Sequence, residues 1–134
     1  AALNDLKIRI KSYLLPSLNS VSSQLLFEMT GGELSEVKLD DDFEILVDGK
    51  PIAAMSGSEQ AVANLAIRLG LGQILTNRVF SVFMGDELDA SMDEDRAAYL
   101  MECLRRLRGS ISQILLVTHK QFEADNTISL MRRK

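Results

Sequence analysis

The chain opens in a helical rhythm. Leu3, Leu6, Ile10 and Tyr13 recur at steps of three and four, and Leu14, Leu18, Val21 and Leu25 continue it. Pro16 falls between the two series. It lacks an amide proton and its ring collides with the preceding turn, so a kink or break is expected there. The glycine pair Gly31 and Gly32 is expected to end the second series, because glycine suits the left-handed cap. Two readings of the first helix stay open: an amphipathic helix on a core, or the end of a coiled-coil arm. The seam is too short and interrupted to establish heptads. Then the period changes. "SEVKLD" and "FEILV" alternate apolar and polar residues on either side of "DDD", which predicts two half-buried strands of a hairpin. "DGKP" predicts a turn after them.

A second helical face follows in Ala61, Val62, Leu65, Ala66 and Leu69, opened by "MSGSEQ". Ser56 or Ser58 can cap its start, and Glu59 puts a negative charge in its first turn. "VFSVFM" is a continuous apolar run and predicts a buried strand. A helix follows with Ala97, Leu100, Met101, Leu104 and Leu107 facing inward and Gly109 at its end. "QILLVT" predicts another buried strand, and "TISLM" a last short one. Strand, helix and strand make a βαβ unit, whose two strands run parallel. Parallel strands end at one edge of the sheet, where ligands of open α/β sheets bind. Asp86 and Glu87 follow the first strand, and Thr118 and His119 follow the second. The fold class is therefore α/β.

Composition adjusts this picture only at the margins. The 134 residues, 46% hydrophobic and 25% charged, suit one ordinary globular domain. The net charge of -4 argues against a free-standing nucleic-acid-binding module. "LRRLRG" and the group Lys7, Arg9, Lys11 could touch phosphates, but solvated helix faces account for them more simply. The single cysteine, Cys103, sits on an inward helix face and reads as core; a chain with no internal disulfide fits a reducing compartment. No apolar run reaches bilayer-spanning length and no signal pattern opens the chain, so a cytoplasmic setting is expected. "AALND" lacks a methionine and begins in helical pattern, which suggests a piece of a longer protein.

The chemistry concentrates in "VFMGDELDASMDEDR", where six acids fall close together: Asp86, Glu87, Asp89, Asp93, Glu94 and Asp95. Adjacent acids at a strand end can hold Mg2+ directly or through its waters. The neighbour can polarise a water for attack. A solvated turn would explain the same pair, and His119 could equally be an ordinary surface residue. Asp93, Glu94 and Asp95 begin a helix, where acids suit the dipole. "SGSE" can offer amides and hydroxyls to an anion, or simply cap its helix. "DELDASMDED" lacks the glycine and ligand alternation of an EF-hand, and no G-x-x-x-x-G-K-[ST] phosphate loop occurs.

Each signal is weak alone, but their order is specific. "MSGSEQ" opens a helix, "DELDASMD" follows an apolar strand, and "VTH" follows a further strand. This order resembles the C-terminal half of an ABC-type ATPase head, and more narrowly the SMC and SbcC group of DNA-repair and chromosome ATPases. The resemblance implies a C-terminal lobe at 31–134, entered by the end of a coiled coil at 1–30. It implies that Ser56, Gly57, Ser58 and Glu59 form the signature motif, which meets the γ-phosphate of ATP held by an opposite head. By the same resemblance Asp86 is the Walker B aspartate that orders Mg2+, and Glu87 the catalytic glutamate that positions water. Met92 and Asp93 match the D-loop, His119 the switch histidine, and Arg68 a coupling residue on the signature helix. Met55 and Ser58 depart from the usual L-S-G-G, and Leu88 stands where many ABC proteins have proline. "DELDAS" leans to the SMC form, and the short spacing around the hairpin leans to SbcC.

The leading expectation is an ATPase half-site with ATP and Mg2+ as cofactors. Its partners would be the N-terminal half of the same head, a second head in a homodimer, a nuclease subunit, and DNA through the complete complex. Its setting would be cytoplasmic, and nucleoid-associated in a bacterium or phage. One alternative is a non-hydrolytic assembly module in which Ser58 has disabled the signature. Another is a receiver-like phosphoacceptor domain using Thr118 and Lys120, which would need about five alternating βα units.

Overall fold

The computed structural model describes residues 2–76, 82–86, 93–107, 111–118, 120 and 124–129. Helix α1 (Ala2–Arg9) and helix α2 (Leu15–Met29) are not separated by a break. They are joined by a π-helical turn, Ile10–Leu14. Pro16 lies in the first turn of α2, and the widened turn before it relieves the collision between its ring and the carbonyl four residues back. The two hydrophobic series behave differently. Leu3, Leu6 and Tyr13 are exposed, whereas Leu18 and Leu25 are buried. The first series is therefore an arm standing off the core, and the second is part of the core. The glycine pair ends α2 as expected: Gly31 (φ 63) and Gly32 (φ 89) are left-handed, and the Gly32 amide donates to the Phe27 carbonyl at 2.9 Å.

The expected hairpin is a three-stranded antiparallel sheet, β1 (Val37–Leu39), β2 (Ile45–Val47) and β3 (Lys50–Pro51), in that order. Its third strand replaces most of the turn expected at "DGKP". Asp48 (φ 48) and Gly49 (φ 80) are both left-handed, which suits a two-residue hairpin turn, so pairing resumes at Lys50 opposite Val47. The strands are also shorter than the alternating pattern suggested. The Asp40 carboxylate accepts the amides of Asp42 and Glu44 at 2.9 Å each, which draws the intervening residues into a turn.

Side chains of α2 complete the outer edge of this sheet. Asn19 donates to the Leu39 carbonyl at 3.1 Å and accepts the Leu39 amide at 2.9 Å. One helical turn on, the Ser23 hydroxyl donates to the Val37 carbonyl at 2.9 Å and accepts the Val37 amide at 3.1 Å. Both backbone groups of two alternate strand residues are thus satisfied by a helix rather than by a strand.

Helix α3 (Gly57–Thr76) packs along α2, and helix α4 (Glu94–Arg106) packs on both. Leu26, Met29, Val37, Val62, Cys103 and Leu104 meet in the centre of the core. Ala97, Leu100, Leu104 and Leu107 face inward as expected, and Met101 packs at their edge. Arg106 donates from Nη1 to the Met29 carbonyl at 3.2 Å, placing a cation at the negative end of α2. α4 ends at Arg106; Gly109, the expected stop, lies outside the described residues.

Strands β4 (Val82–Asp86) and β5 (Gln113–Val117) flank α4 in sequence and pair in parallel, Val82 with Gln113 through Asp86 with Val117. The βαβ reading is correct. Full burial is not. Met84 is 68% exposed, Leu115 41% and Val117 52%, while Ile114 and Leu116 pack toward the core. Among the described residues, helices cover one face of the pair only. Residues 127–129 form no strand, and the rest of "TISLM" lies outside the described residues. No helix among the described residues is long and apolar enough to cross a membrane.

Replacing Asn19 or Ser23 by Ala strands one amide and one carbonyl of β1. Each change is expected to lower unfolding free energy by ~1–3 kcal/mol in urea titrations. The exposed neighbour Gln24→Ala is the neutral control; equal effects at all three positions would refute the edge-pairing account.

Candidate functional site

The start of α3 is built by reciprocal hydrogen bonds. The Glu59 amide donates to Ser56 Oγ at 3.3 Å, and the Ser56 amide donates to Glu59 Oε2 at 3.1 Å. This is a capping box, so Ser56 rather than Ser58 is the cap. Gln60 tightens the turn by donating from Nε2 to the Met55 carbonyl at 2.9 Å. Glu59 is therefore turned back onto the backbone of its own motif. Its carboxylate fixes the turn, while Gly57 and Ser58 form the first residues of the helix. Arg68 lies further along α3 and is exposed.

The start of α4 stands against that turn. Asp93 caps α4, accepting the Arg96 amide at Oδ1 at 2.8 Å. Arg96 Nε lies 3.5 Å from Asp93 Oδ2, and the guanidinium continues over Gly57. The structure thus brings the Ser56–Glu59 turn and Asp93 together through Arg96, a residue that sequence reasoning passed over. The only signal was an arginine interrupting the acidic run "DEDR" at a helix start.

The third element is the edge where β4 and β5 end. Asp86 closes β4 level with Val117, so both strands end at one edge. Thr118 Oγ1 accepts the Lys120 amide at 3.0 Å just beyond β5. Glu87, Met92 and His119 lie outside the described residues. A single strand-end carboxylate is a fitting donor for Mg2+, which takes one or two carboxylates and completes its shell with phosphate oxygens and water. Asp86 fits that role by residue type and by its place at the strand end.

Cys103 has no part in this chemistry. It is fully buried, and burial pushes its thiol up to about 11 despite the opposing pull of the Arg106 charge and a hydrogen bond from Tyr99. Burial, followed by the neighbouring Cys103, pushes the Tyr99 phenol up to about 12.

Comparison with known proteins gives this geometry a setting. The chain is 36% identical over 87 residues, 65% of its length, to the DNA double-strand break repair Rad50 ATPase of Methanococcus maripaludis. It is 30% identical over 134 aligned residues, 93% of its length, to the protein of the same name from Aeropyrum pernix. It spans only 9% and 14% of these two curated relatives. No family model matches the chain. Among solved structures, an SMC ATPase from work on ATP-driven dimerisation and DNA-stimulated activation has a TM-score of 0.59 at 22% identity. That match covers 94% of this chain and 82% of the other, and it shows the fold alone.

Both raised groups are neutral when folded and ionise more readily when unfolded. Their contribution to stability is full below pH 9.0, the ordinary thiol value, and is lost as pH rises through about 11 and about 12. Unfolding free energy is expected to fall across that window. A thiol reagent at neutral pH should label Cys103 only when the chain is unfolded; rapid labelling of the folded chain would contradict its assignment to the core.

Proposed function

Because the chain belongs, as a C-terminal piece of an ATPase head, to the SMC/Rad50 type of ABC ATPases, we propose that it supplies half of an ATP-hydrolysing site and part of a second one. The observation that carries this reading is the unfinished parallel pair. A parallel pair needs cover on both faces, yet Met84, Leu115 and Val117 are exposed on one face of β4 and β5. An N-terminal half carrying the phosphate loop would cover that face and bring ATP to the edge where Asp86 ends β4. The exposed seam of α1 fits the returning strand of a coiled coil in the same way.

In this reading the residues divide between two nucleotides. Asp86 would hold Mg2+, whose charge would help to neutralise the phosphates. By family resemblance, Glu87 would orient the attacking water and His119 would serve the γ-phosphate. Ser56, Gly57 and Ser58 serve the nucleotide of a second, identical head, with Glu59 holding their turn in place. Asp93 faces that head. Closing two heads on ATP and releasing them after hydrolysis moves the coiled-coil arms. DNA and a nuclease subunit are then partners of the complete assembly, in keeping with the repair role in the relatives' name. The greater sequence likeness to Rad50 proteins favours that branch over SMC. Membership of the ABC group removes the receiver-like alternative.

The isolated chain is expected to show no ATP hydrolysis. With the N-terminal half supplied, Glu87→Gln is expected to slow turnover by about 100-fold and to prolong the ATP-bound dimer. Clear hydrolysis by the isolated chain, or native turnover in the variant, would sink the assignment.

A further inference from the structure

Arg96 lies where helix electrostatics alone would not put a cation. It is the third residue of α4, and its guanidinium lies over the first residue of α3. Both helix starts carry positive partial charge, so a cation at either is unfavourable. Asp93, Glu94 and Asp95 precede it in the pattern a helix start prefers, and Arg96 breaks that run. The ion pair with Asp93 does not account for the placement. Its side chains are 52% and 61% exposed at a separation of 3.5 Å, conditions under which such pairs contribute little.

What Arg96 does have is a close fit. A Cβ on Gly57 would stand 2.6 Å from its Cζ and 2.9 Å from Nε and Nη1. The guanidinium thus fills the space that any side chain at position 57 would take. Its backbone amide donates to the Asp93 cap at 2.8 Å, as any residue there would; its side chain adds Nε, 3.5 Å from the other carboxylate oxygen, and so orients the guanidinium between Asp93 and Gly57. One side chain therefore joins the start of α3 to the start of α4.

We propose that Arg96 is a positioning residue that packs against Gly57 and holds Asp93, so that both helix starts meet a partner head as one rigid surface. This rests on the reading of the chain as half of an ATP-driven head, in which both segments face the second head. Arg96 touches no reacting atom; it acts through the spacing of Gly57 and Asp93. Gly57 is then glycine partly to admit the guanidinium. Because the obstructing atoms are the far end of a flexible side chain, Gly57→Ala displaces Arg96 and leaves the fold intact.

The test uses the complete head, this chain with its N-terminal half, and has two arms. Amide hydrogen exchange without nucleotide reads the junction by itself. Arg96→Ala is expected to raise exchange at Glu59 and Ala97 together, since their amides bond within the two helix starts. Exchange unchanged at both overturns the junction. The second arm measures the ATP–Mg2+ concentration that gives half-maximal head dimerisation, by sedimentation. Arg96→Ala is expected to raise it about tenfold with no change in melting temperature. Arg96→Lys should not restore it, because an ammonium cannot lie flat on Gly57 while holding Asp93. Gly57→Ala should cost far less in the Arg96→Ala background than in the native one. Native-like dimerisation by Arg96→Ala, or independent effects of the two substitutions, overturns the positioning role. If exchange responds but native heads fail to dimerise with ATP, the ATPase-head reading falls and takes the positioning role with it.

Discussion

How closely α2 can approach α3 decides the packing of this chain. At their crossing Ser22 on α2 meets Gly70 on α3. A Cβ on Gly70 would overlap the Ser22 hydroxyl and stand 3.3 Å from the Ser22 amide nitrogen and 3.4 Å from its Cα. The helices therefore meet almost backbone to backbone. Ser22 is 1% exposed, and its hydroxyl finds no hydrogen-bond partner among the described residues. A buried unsatisfied hydroxyl costs roughly 1–3 kcal/mol. Close approach offsets that cost by letting Leu25, Leu26 and Met29 reach Val62, Ala66 and Leu69 in one core. Widening the crossing would open voids along the whole interface.

The antiparallel sheet, α4 and the arm all attach to that helix pair. The antiparallel sheet hangs on α2 through Asn19 and Ser23, which bond both backbone groups of Leu39 and Val37. α4 is fixed at its C-terminal end by Arg106 on the Met29 carbonyl and at its N-terminal end by Arg96 on Gly57. The arm formed by α1 runs into α2 without a break, because the π-helical turn absorbs Pro16. A tightly packed interior transmits strain.

The opposite side of the molecule is unfinished. β4 and β5 leave Met84, Leu115 and Val117 in solvent, although the same run of sequence reads as a strand buried on both faces. The residues suit a covered strand, and among the described residues that face stays exposed. The same holds for Leu3 and Leu6 on the arm. Two apolar surfaces thus stay exposed among the described residues, one on a sheet face and one on a helix seam.

Much of this was legible in the sequence, for a local reason. Periodicity records which face of an element is apolar, so α2, α3, α4 and the βαβ unit were readable from Leu18, Val62, Leu100 and Ile114 and their neighbours. Caps and turns depend on residues a few positions apart, so the helix stop at Gly31 was readable and the cap of α3 was narrowed to Ser56 or Ser58, between which the structure chooses Ser56. The Asp48–Gly49 turn was placed correctly but drawn too wide, because the pattern cannot show where pairing resumes. The order of the three motifs gave the family. Contacts between elements were beyond the sequence. Nothing local tells Arg96 that it faces Gly57, Asn19 that it faces Leu39, or Ser22 that it faces Gly70. Nor can an apolar strand say whether its cover comes from its own segment or from another. Apolar patterning is a property of neighbours along the chain; the distance between two backbones is set only when the elements pack.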